Sequence, residues 1–272
     1  MIEETTIDVD GISVFIRRRG GEGTPVVFVH GNPTHSAEWT PFVERLDVPF
    51  VACDLPGWGR SERPGYDRFD GGMHGLASFV DRFLDALDVG AHRLVVHDWG
   101  AVALIGAQRR PDRVRRLVVV NAVPLLPGYR WHWVARMWRR RGVGEAFNAT
   151  STRFATVLLL RQARADRRPM PDEFVDMIWS RFDRGTRRAI LELYRSAPED
   201  ELATAGSRLG EIGCPALVVW GARDPYIPLE FGHAYADRLP GAELVELPDA
   251  GHWPWIERPD VVDRVNGFLE AR

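Results

Sequence analysis

Runs of apolar residues alternate along the chain with segments of helical periodicity. Polar and apolar residues alternate over 5–9 and 12–18 on either side of Asp10-Gly11, which predicts an antiparallel hairpin at a sheet edge. Six later runs are largely apolar, as expected of strands covered on both faces: 26–29, 50–53, 93–96, 117–120, 216–220 and 244–247. Helical spacing separates or follows them at 36–46, 76–84, 100–109, 231–238 and beyond Pro259. This order predicts an α/β fold with a mostly parallel sheet and right-handed crossovers.

The alternation stops after the strand at 117–120. From Asn121 to about Arg208 the sequence shows helical patterns without a convincing strand, and five prolines divide it into short helices. Pro171-Asp172-Glu173 is typical of a helix start. We therefore predict an α/β core of residues 1–121 and 209–272, with helices on both faces of the sheet, and an inserted helical cap of residues 122–208.

The composition favours a globular protein that acts on a small neutral molecule. Of 272 residues, 45% are hydrophobic and the net charge is −3, so no overall field attracts nucleic acid or an anionic membrane. The basic run Arg139-Arg140-Arg141 is interpreted as a solvated helix face. Cys53 and Cys214 lack metal-ligand spacing and are expected to be buried, reduced thiols. With no glycine-rich phosphate loop after the first parallel strand, no metal, nucleotide or flavin cofactor is expected.

The first residues and the length of the apolar runs indicate where in the cell the protein is expected. The first ten residues are acidic and polar, whereas a signal peptide begins basic and continues apolar. The apolar runs are all shorter than the ~18 residues of a membrane span. We therefore expect a soluble, cytoplasmic protein, and the sequence sets no oligomeric state.

Three candidate catalytic residues each follow a predicted strand directly. Asp98 stands where the strand at 93–96 runs into a helix that starts with small residues, a tight turn of the nucleophile-elbow kind. Taken alone, this aspartate is equally compatible with an acidic helix cap. Asp224 follows the strand at 216–220, and His252 follows the last strand. Because reactive groups in open α/β sheets gather beyond the carboxyl ends of strands, we expect the three side chains to converge.

The chain resembles, over essentially its whole length, the α/β-hydrolase superfamily, and in particular its aspartate-nucleophile branch of epoxide hydrolases and haloalkane dehalogenases. The resemblance is carried by His30-Gly31-Asn32-Pro33, Asp54 to Ser61, His97-Asp98-Trp99-Gly100, Gly221 to Asp224 and Gly251-His252. It implies the α/β-hydrolase fold with the chain order nucleophile, acid, histidine. Val96 departs from the pattern, since most members have glycine there. In some dehalogenases the acid follows the preceding strand, but the matching position here is Ala122, which leaves Asp224 as the candidate acid.

An aspartate nucleophile determines what kind of bond is broken. The substrate carbon becomes the alkyl half of an ester, so a leaving group departs from an sp³ carbon, such as an epoxide oxygen or a halide. His252, oriented by Asp224, is expected to activate water against this ester, with the backbone N–H groups of Asn32 and Trp99 holding the oxyanion. The helix N-terminus is expected to keep Asp98 ionised.

Features of the resemblance point to different leaving groups. Trp99 and Asn32 match the indole and the side-chain amide with which haloalkane dehalogenases hold a halide, although epoxide hydrolases share the tryptophan and the Asn32 backbone alone also explains that residue. Tyr194 resembles the second cap tyrosine with which epoxide hydrolases protonate the opening ring; the alternative is a core tyrosine on the helix 187–195. For the first cap tyrosine, Tyr129 and His132 are weak candidates.

On this basis the sequence favours an epoxide hydrolase that acts on a small apolar organic substrate with water. Haloalkane dehalogenation is the alternative, and a non-catalytic ligand receptor on the same fold is an alternative of another class. Trp131, Trp133, Trp138 and Trp179 cluster in the predicted cap, which suggests an apolar cavity for such a substrate.

Overall fold

The computed structural model describes residues 1–271, and its strands form an eight-stranded sheet in the order β1-β2-β4-β3-β5-β6-β7-β8. The strands are β1 (Glu3–Val9), β2 (Ile12–Arg19), β3 (Val26–Val29), β4 (Phe50–Cys53), β5 (His92–Asp98), β6 (Val114–Ala122), β7 (Ala216–Gly221) and β8 (Glu243–Leu247). β2 pairs antiparallel with both β1 and β4, and the pairs from β4 to β8 are parallel. The predicted α/β-hydrolase fold with its mostly parallel sheet is confirmed.

Helices connect the strands and cover both faces of the sheet. They are α1 (Thr40–Val43), α2 (Met73–Ala86), α3 (Val102–Arg109), α4 (Trp133–Arg139), α5 (Val143–Ala149), α6 (Arg153–Arg161), α7 (Asp172–Trp179), α8 (Arg184–Arg195), α9 (Glu199–Ala205), α10 (Leu229–Arg238), α11 (Pro254–Glu257) and α12 (Asp260–Glu270). Within residues 1–271, none of the helices has the length and apolarity needed to cross a membrane.

The sheet is buried because its central strands carry apolar side chains towards both faces. Every residue of β3 and β4 is buried, as their continuous apolar runs predict. On one face, α2 packs the apolar residues that recur at helical spacing, among them Leu76, Phe79 and Phe83. On the other face, Phe42 of α1 packs with Val265 and Leu269 of α12. The carboxyl ends of β3, β5, β7 and β8 therefore stand at one edge of a rigid sheet.

The first hairpin is as predicted, whereas one helix is shorter than predicted and another has no counterpart in the prediction. The hairpin β1–β2 turns at Asp10-Gly11 as expected, with a positive φ at both residues. The helix expected over 36–46 is shorter, a 3₁₀ turn at Ser36–Trp39 followed by the single α turn of α1. Pro41 lacks a backbone N–H, so α-helical hydrogen bonding cannot run through the 3₁₀ turn into α1. α11 was not predicted at all.

The segment between β6 and β7 holds six helices, α4 to α9, and none of its described residues lies in a strand. α7 begins at Asp172 with Pro171 before it, where the sequence predicts a helix start. α8 lies against the core: the Thr186 hydroxyl donates a hydrogen bond to the carbonyl of Gly57, 2.9 Å away. The helical character agrees with the predicted cap, while the boundaries at residues 121 and 208 stay predictions.

The basic run and the cysteines differ in part from their interpretation. Arg139 is half-buried and donates hydrogen bonds to the carbonyls of Tyr194 and Ala197, at the carboxyl end of α8. The interpretation of the whole run as a solvated face was therefore wrong for this residue, since unpaired carbonyls at a helix end attract a cation. Cys53 is buried as expected, whereas Cys214 is half-buried; both are free thiols. Burial raises the pKa of Cys214 to about 11.

Candidate active site

A strained turn at the end of β5 holds the Asp98 side chain. Asp98 has φ 46° and ψ −120°, and the chain continues directly into a 3₁₀ turn and α3. Two glycines make room for this turn: a Cβ on Gly100 stands 2.1 Å from the carbonyl oxygen of Val29, and one on Gly31 stands 2.4 Å from the Cβ of Asp98. Val96, the position at which the resemblance implies a glycine, is buried in β5, and the turn at Asp98 forms nonetheless.

The structure brings together the three residues that the sequence singled out. His252 Nδ1 lies 2.7 Å from Asp224 Oδ2, and its other nitrogen, Nε2, lies 3.9 Å from Asp98 Oδ1. All three residues are buried, with 4%, 8% and 2% of the surface of Asp98, Asp224 and His252 exposed. An imidazole clamped between two carboxylates in this way has one nitrogen fixed and the other free to act on water.

The Asp224 carboxylate is held by hydrogen bonds on both oxygens. Its Oδ1 accepts the backbone N–H groups of Tyr226 and Ile227, and its Oδ2 accepts the side-chain amide of Asn121 at 2.7 Å. From β6, the side chain that reaches the acid is thus Asn121, the residue before Ala122. The sequence gives little warning of this role, because asparagine after a strand is ordinarily a turn residue.

A backbone N–H group near Asp98 can stabilise negative charge on one of its carboxylate oxygens. The backbone N–H of Asn32 donates to its Oδ2 at 2.7 Å. Burial raises the pKa of Asp98, and His252, His97 and the N–H groups of Asn32 and Trp99 act against that rise without cancelling it. We expected the helix N-terminus to keep Asp98 ionised. That is not sufficient here, because desolvation has the larger effect on the pKa of this carboxyl.

The neighbouring carboxylates control His252. Burial lowers the pKa of the imidazole, but Asp224, Asp98 and Glu38 together raise it by more, so the net pKa lies above its ordinary value. Since part of this rise comes from the charge of Asp98, it depends on that carboxylate remaining ionised.

Two N–H donors close to Asp98 are buried, and among the described residues neither has an acceptor in good hydrogen-bonding geometry, although both face the Tyr194 phenol. They are Nε1 of Trp99 and Nδ2 of Asn32. The Asn32 amide is oriented by Trp58, whose indole N–H donates to Oδ1 at 3.2 Å. Trp99 is fixed by stacking on Trp131, with ring centroids 5.4 Å apart. Because a buried donor without a partner costs about 1–3 kcal/mol, this pair indicates a site for an acceptor that is part of the reaction.

Tyr194 on α8 faces the same space. Its ring lies 5.2 Å from that of Trp99 and 4.8 Å from that of Trp138, and only 3% of its surface is exposed. Burial raises the pKa of the phenol well above its ordinary value, and the Trp99 and Asn32 side-chain N–H groups act against that rise. Tyr194 is therefore both a buried core residue of α8 and part of the cavity wall, and its role as a proton donor stays a prediction.

Of the two weaker candidates for a second donor, one lies at the cavity. The Tyr129 hydroxyl donates to the carbonyl of Tyr226 at 3.2 Å, and this residue is not part of the cavity wall. His132 lines the cavity, and its Nδ1 accepts the N–H of Ala135. Burial lowers the pKa of His132 to about 3, so the ring is neutral at ordinary pH and carries its proton on Nε2.

An elongated apolar cavity extends from Asp98 and His252 into the helical segment. It encloses about 680 Å³ of free space, part of it open to solvent. Apolar side chains form most of the wall: Val134, Trp138, Phe147, Leu159, Leu160, Ile178, Phe182 and Trp253. The tryptophan cluster predicted such a cavity, but of its four members only Trp138 lines it, and Trp133 is 46% exposed. Tyr226, which the sequence analysis missed, also lines the cavity and packs 5.1 Å from the His252 ring.

This fold and site together define a class. A carboxylate on a strained strand-to-helix turn faces a histidine that is paired with a second carboxylate, at the carboxyl edge of a mostly parallel sheet. The model of the alpha/beta hydrolase fold family matches residues 24–259. The chain belongs to this family and is a hydrolase.

Proteins similar to this chain are named for more than one reaction. The chain is 33% identical to a haloalkane dehalogenase of Mesorhizobium japonicum, over 90% of this chain and 84% of that protein. It is 27% identical to a cis-3-alkyl-4-alkyloxetan-2-one decarboxylase of Shewanella oneidensis, over 92% and 83%. The crystal structure of a haloalkane dehalogenase from Bradyrhizobium elkani superposes with a TM-score of 0.83 at 27% identity, covering 99% of this chain and 98% of that one. Sequence similarity alone therefore does not decide which reaction this chain catalyses, and the residues of the site must decide it.

Proposed function

We propose that this protein is a haloalkane dehalogenase that uses Asp98 as its nucleophile. The observation that carries the proposal is the pair of buried N–H donors, Trp99 Nε1 and Asn32 Nδ2, for which no described residue supplies an acceptor in good hydrogen-bonding geometry. A halide leaving an sp³ carbon is a stable anion that needs donors to solvate it and needs no proton. Haloalkane dehalogenases among the relatives and structural neighbours support the same choice.

The first step forms the ester. Asp98 Oδ1 attacks the carbon that bears the halogen, while Oδ2 stays bound to the N–H of Asn32. One carbon–oxygen bond forms as the carbon–halogen bond breaks, and the electron pair leaves with the halide towards Trp99 and Asn32. The buried, apolar cavity strengthens each of these electrostatic contacts.

The second step hydrolyses the ester. Water attacks Cγ of Asp98, His252 Nε2 takes its proton, and the oxyanion forms at Oδ2 beside the Asn32 N–H. Alkylation has by then removed the charge of Asp98, one of the groups that raise the pKa of His252. The pKa of the imidazole therefore falls when the ester is present, which makes His252 a free base at the step that needs one. When the tetrahedral intermediate collapses, His252 returns its proton to the departing alkoxide oxygen, which leaves as the alcohol, and the acid formed on Asp98 loses its own proton to restore the carboxylate.

Epoxide hydrolysis is the second candidate, because a buried phenol lies at the same site. The Tyr194 ring packs against Trp99, and its hydroxyl is close enough to Asp98 for the carboxylate to raise its pKa. An opening epoxide leaves as an alkoxide and must be protonated or strongly hydrogen-bonded. Tyr194 is the candidate donor, and neutral His132 supplies a second N–H at the cavity.

One paired assay separates the two functions. Purified protein is incubated with a series of bromoalkanes and with a styrene-type epoxide, and bromide and diol are measured together. The proposal predicts bromide release that Asp98→Asn abolishes, with little diol formation. Diol formation without bromide release contradicts it and makes the epoxide the substrate class.

A further inference from the structure

A second carboxylate and histidine, Glu38 and His97, lie next to Asp98 and His252, and neither side chain is exposed. Glu38 lies in the 3₁₀ turn before α1, and His97 precedes Asp98 in β5. His97 Nδ1 is 3.4 Å from Glu38 Oε2, an ion-pair distance that is long for a hydrogen bond. The His97 ring also packs 4.8 Å from the His252 ring.

Glu38 is in contact with two of the loops that build the site and with the end of β5. Its Oε1 accepts the backbone N–H of Gly31 at 3.2 Å, next to the residue that binds Asp98 Oδ2. Its Oε2 accepts the indole N–H of Trp253 at 3.4 Å, next to His252. One buried carboxylate thereby joins the Asn32 loop, the end of β5 and the histidine loop.

The contacts of His97 restrict where its protons are. His97 Nε2 lies 2.9 Å from the carbonyl oxygen of His252, and a carbonyl only accepts, so Nε2 carries a proton. A neutral ring then turns the lone pair of Nδ1 towards the Glu38 carboxylate, which is repulsive. The contact is favourable only with one proton between the two groups. Both Glu38 oxygens already accept N–H donors, from Gly31 and from Trp253, which favours the carboxylate form and places that proton on the imidazole. Interaction with His97 also keeps the pKa of Glu38 below its ordinary value although burial raises it.

We propose that Glu38 and His97 form a buried carboxylate–imidazolium pair, and that Glu38 is thereby a positioning residue for Asp98 and His252. The cation of the pair lies beside Asp98, where it favours the carboxylate that burial disfavours. Its Nε2–H holds the backbone of His252. The charges on Glu38 and His97 do not depend on the proposed function. The effect of the pair on the reaction of Asp98 does rest on that function.

Other titratable groups nearby do not replace this charge. His30 faces Glu38 from the end of β3, but burial lowers its pKa and its Nε2 accepts the N–H of Leu55, so the ring is neutral. Asp98 faces His252 from the loop after β8 and the Tyr194 phenol from α8. His252 itself is paired with Asp224. The described neighbours of Glu38 therefore leave His97 to carry its counter-charge.

Nuclear magnetic resonance of the imidazole nitrogens tests the pair directly. In ¹⁵N-labelled protein at about pH 8, above the ordinary histidine pKa of about 6.5, His97 is expected to carry protons on both nitrogens, with its signals assigned by their loss in His97→Gln. In Glu38→Gln, which keeps the shape and removes the charge, we expect Nδ1 to lose its proton. A singly protonated His97 in the wild-type protein overturns the proposal without any use of activity.

The kinetic test measures the pH dependence of Asp98 alkylation by a bromoalkane in single turnovers. Glu38→Gln is expected to move the acid limb of this profile upwards by about one pH unit, the low end of the effect of a nearby opposite charge. Glu257→Gln is the matched control, because Glu257 holds the same histidine loop through the N–H of Gly251 at 2.7 Å. The control is expected to lower the rate without moving the limb.

The outcomes are distinct. A doubly protonated His97 together with a limb that Glu38→Gln leaves in place contradicts the positioning role, as does an equal displacement in Glu257→Gln. If the wild-type protein alkylates with none of the bromoalkanes, the proposed function fails instead. The measurement of the ring protons then decides the inference by itself.

Discussion

Asn32 contributes to the site with two different groups, and they can be separated by mutation. Its backbone N–H binds Asp98 Oδ2, and its side-chain Nδ2 is the unpaired donor proposed for the halide. Asn32→Ala removes the second and keeps the first. We expect at least a ~10-fold slower alkylation of Asp98 by a bromoalkane, on the scale of one lost charge-assisted hydrogen bond.

Tyr194→Phe is the matched comparison, because it removes only a hydroxyl from the same space. In a dehalogenase it is expected to cost less than Asn32→Ala, whereas in an epoxide hydrolase the order reverses, since the phenol is then the acid. Rapid-quench measurement of ester formation, after circular dichroism has verified folding, gives the ranking. A greater loss in Tyr194→Phe than in Asn32→Ala favours the epoxide.

Asp224 is expected to act through His252. Asp224→Asn keeps the size of the side chain but places an amide against Nδ1, where a carboxylate now lies 2.7 Å away. The wrong tautomer or a weaker base follows, and we expect turnover to fall by at least ~10². Asp249→Asn, an exposed residue that pairs with Arg258, is the control and is expected to retain turnover. Near wild-type turnover in Asp224→Asn means that another carboxylate serves His252.

At the scale of elements, the close packing of two loops sets the geometry around Asp98. A methyl group on Gly31 stands 2.4 Å from the Asp98 Cβ, so Gly31→Ala must displace the loop that carries the Asn32 N–H. Loss of this donor is expected to reduce ester hydrolysis by ~10²-fold or more, as for a removed oxyanion donor. Gly20→Ala, whose new methyl group meets nothing within 4 Å, is the control. Unchanged hydrolysis in Gly31→Ala contradicts the assigned oxyanion site.

The elements that the sequence predicts well are those with a strong local pattern. Strands such as Phe50–Cys53 have the bounds expected, because their apolar runs end at glycine, proline or charged residues. The turn at Ser36–Trp39 was predicted as the first part of a longer helix, since a 3₁₀ turn and an α turn share their hydrophobic spacing over four residues. That difference matters, because the 3₁₀ turn carries Glu38, which contacts His97 and Gly31 next to the site.

At the scale of the whole molecule, the sheet makes part of the site predictable. Asp98, Asp224 and His252 each follow a strand, and parallel strands deliver their carboxyl ends to one edge, so the chain order alone predicts their convergence. Asn121, His97 and Glu38 are different. Their roles depend on contacts across the sheet, between residues up to 215 positions apart, and no local pattern marks a buried polar group as paired. Tyr194 favours an epoxide from the sequence, but only the structure shows which buried N–H donors near Asp98 lack an acceptor in good geometry.

If Asp98 is the nucleophile, a covalent alkyl ester forms on its carboxylate during each turnover. His252→Gln is expected to allow alkylation and block hydrolysis, because the base is lost while the nucleophile remains. After incubation with a bromoalkane, intact-protein mass spectrometry should show one added alkyl group, which peptide mapping places on Asp98 and which is missing in His252→Gln/Asp98→Asn. An adduct on another residue, or none in His252→Gln although the wild-type protein releases bromide, contradicts the account.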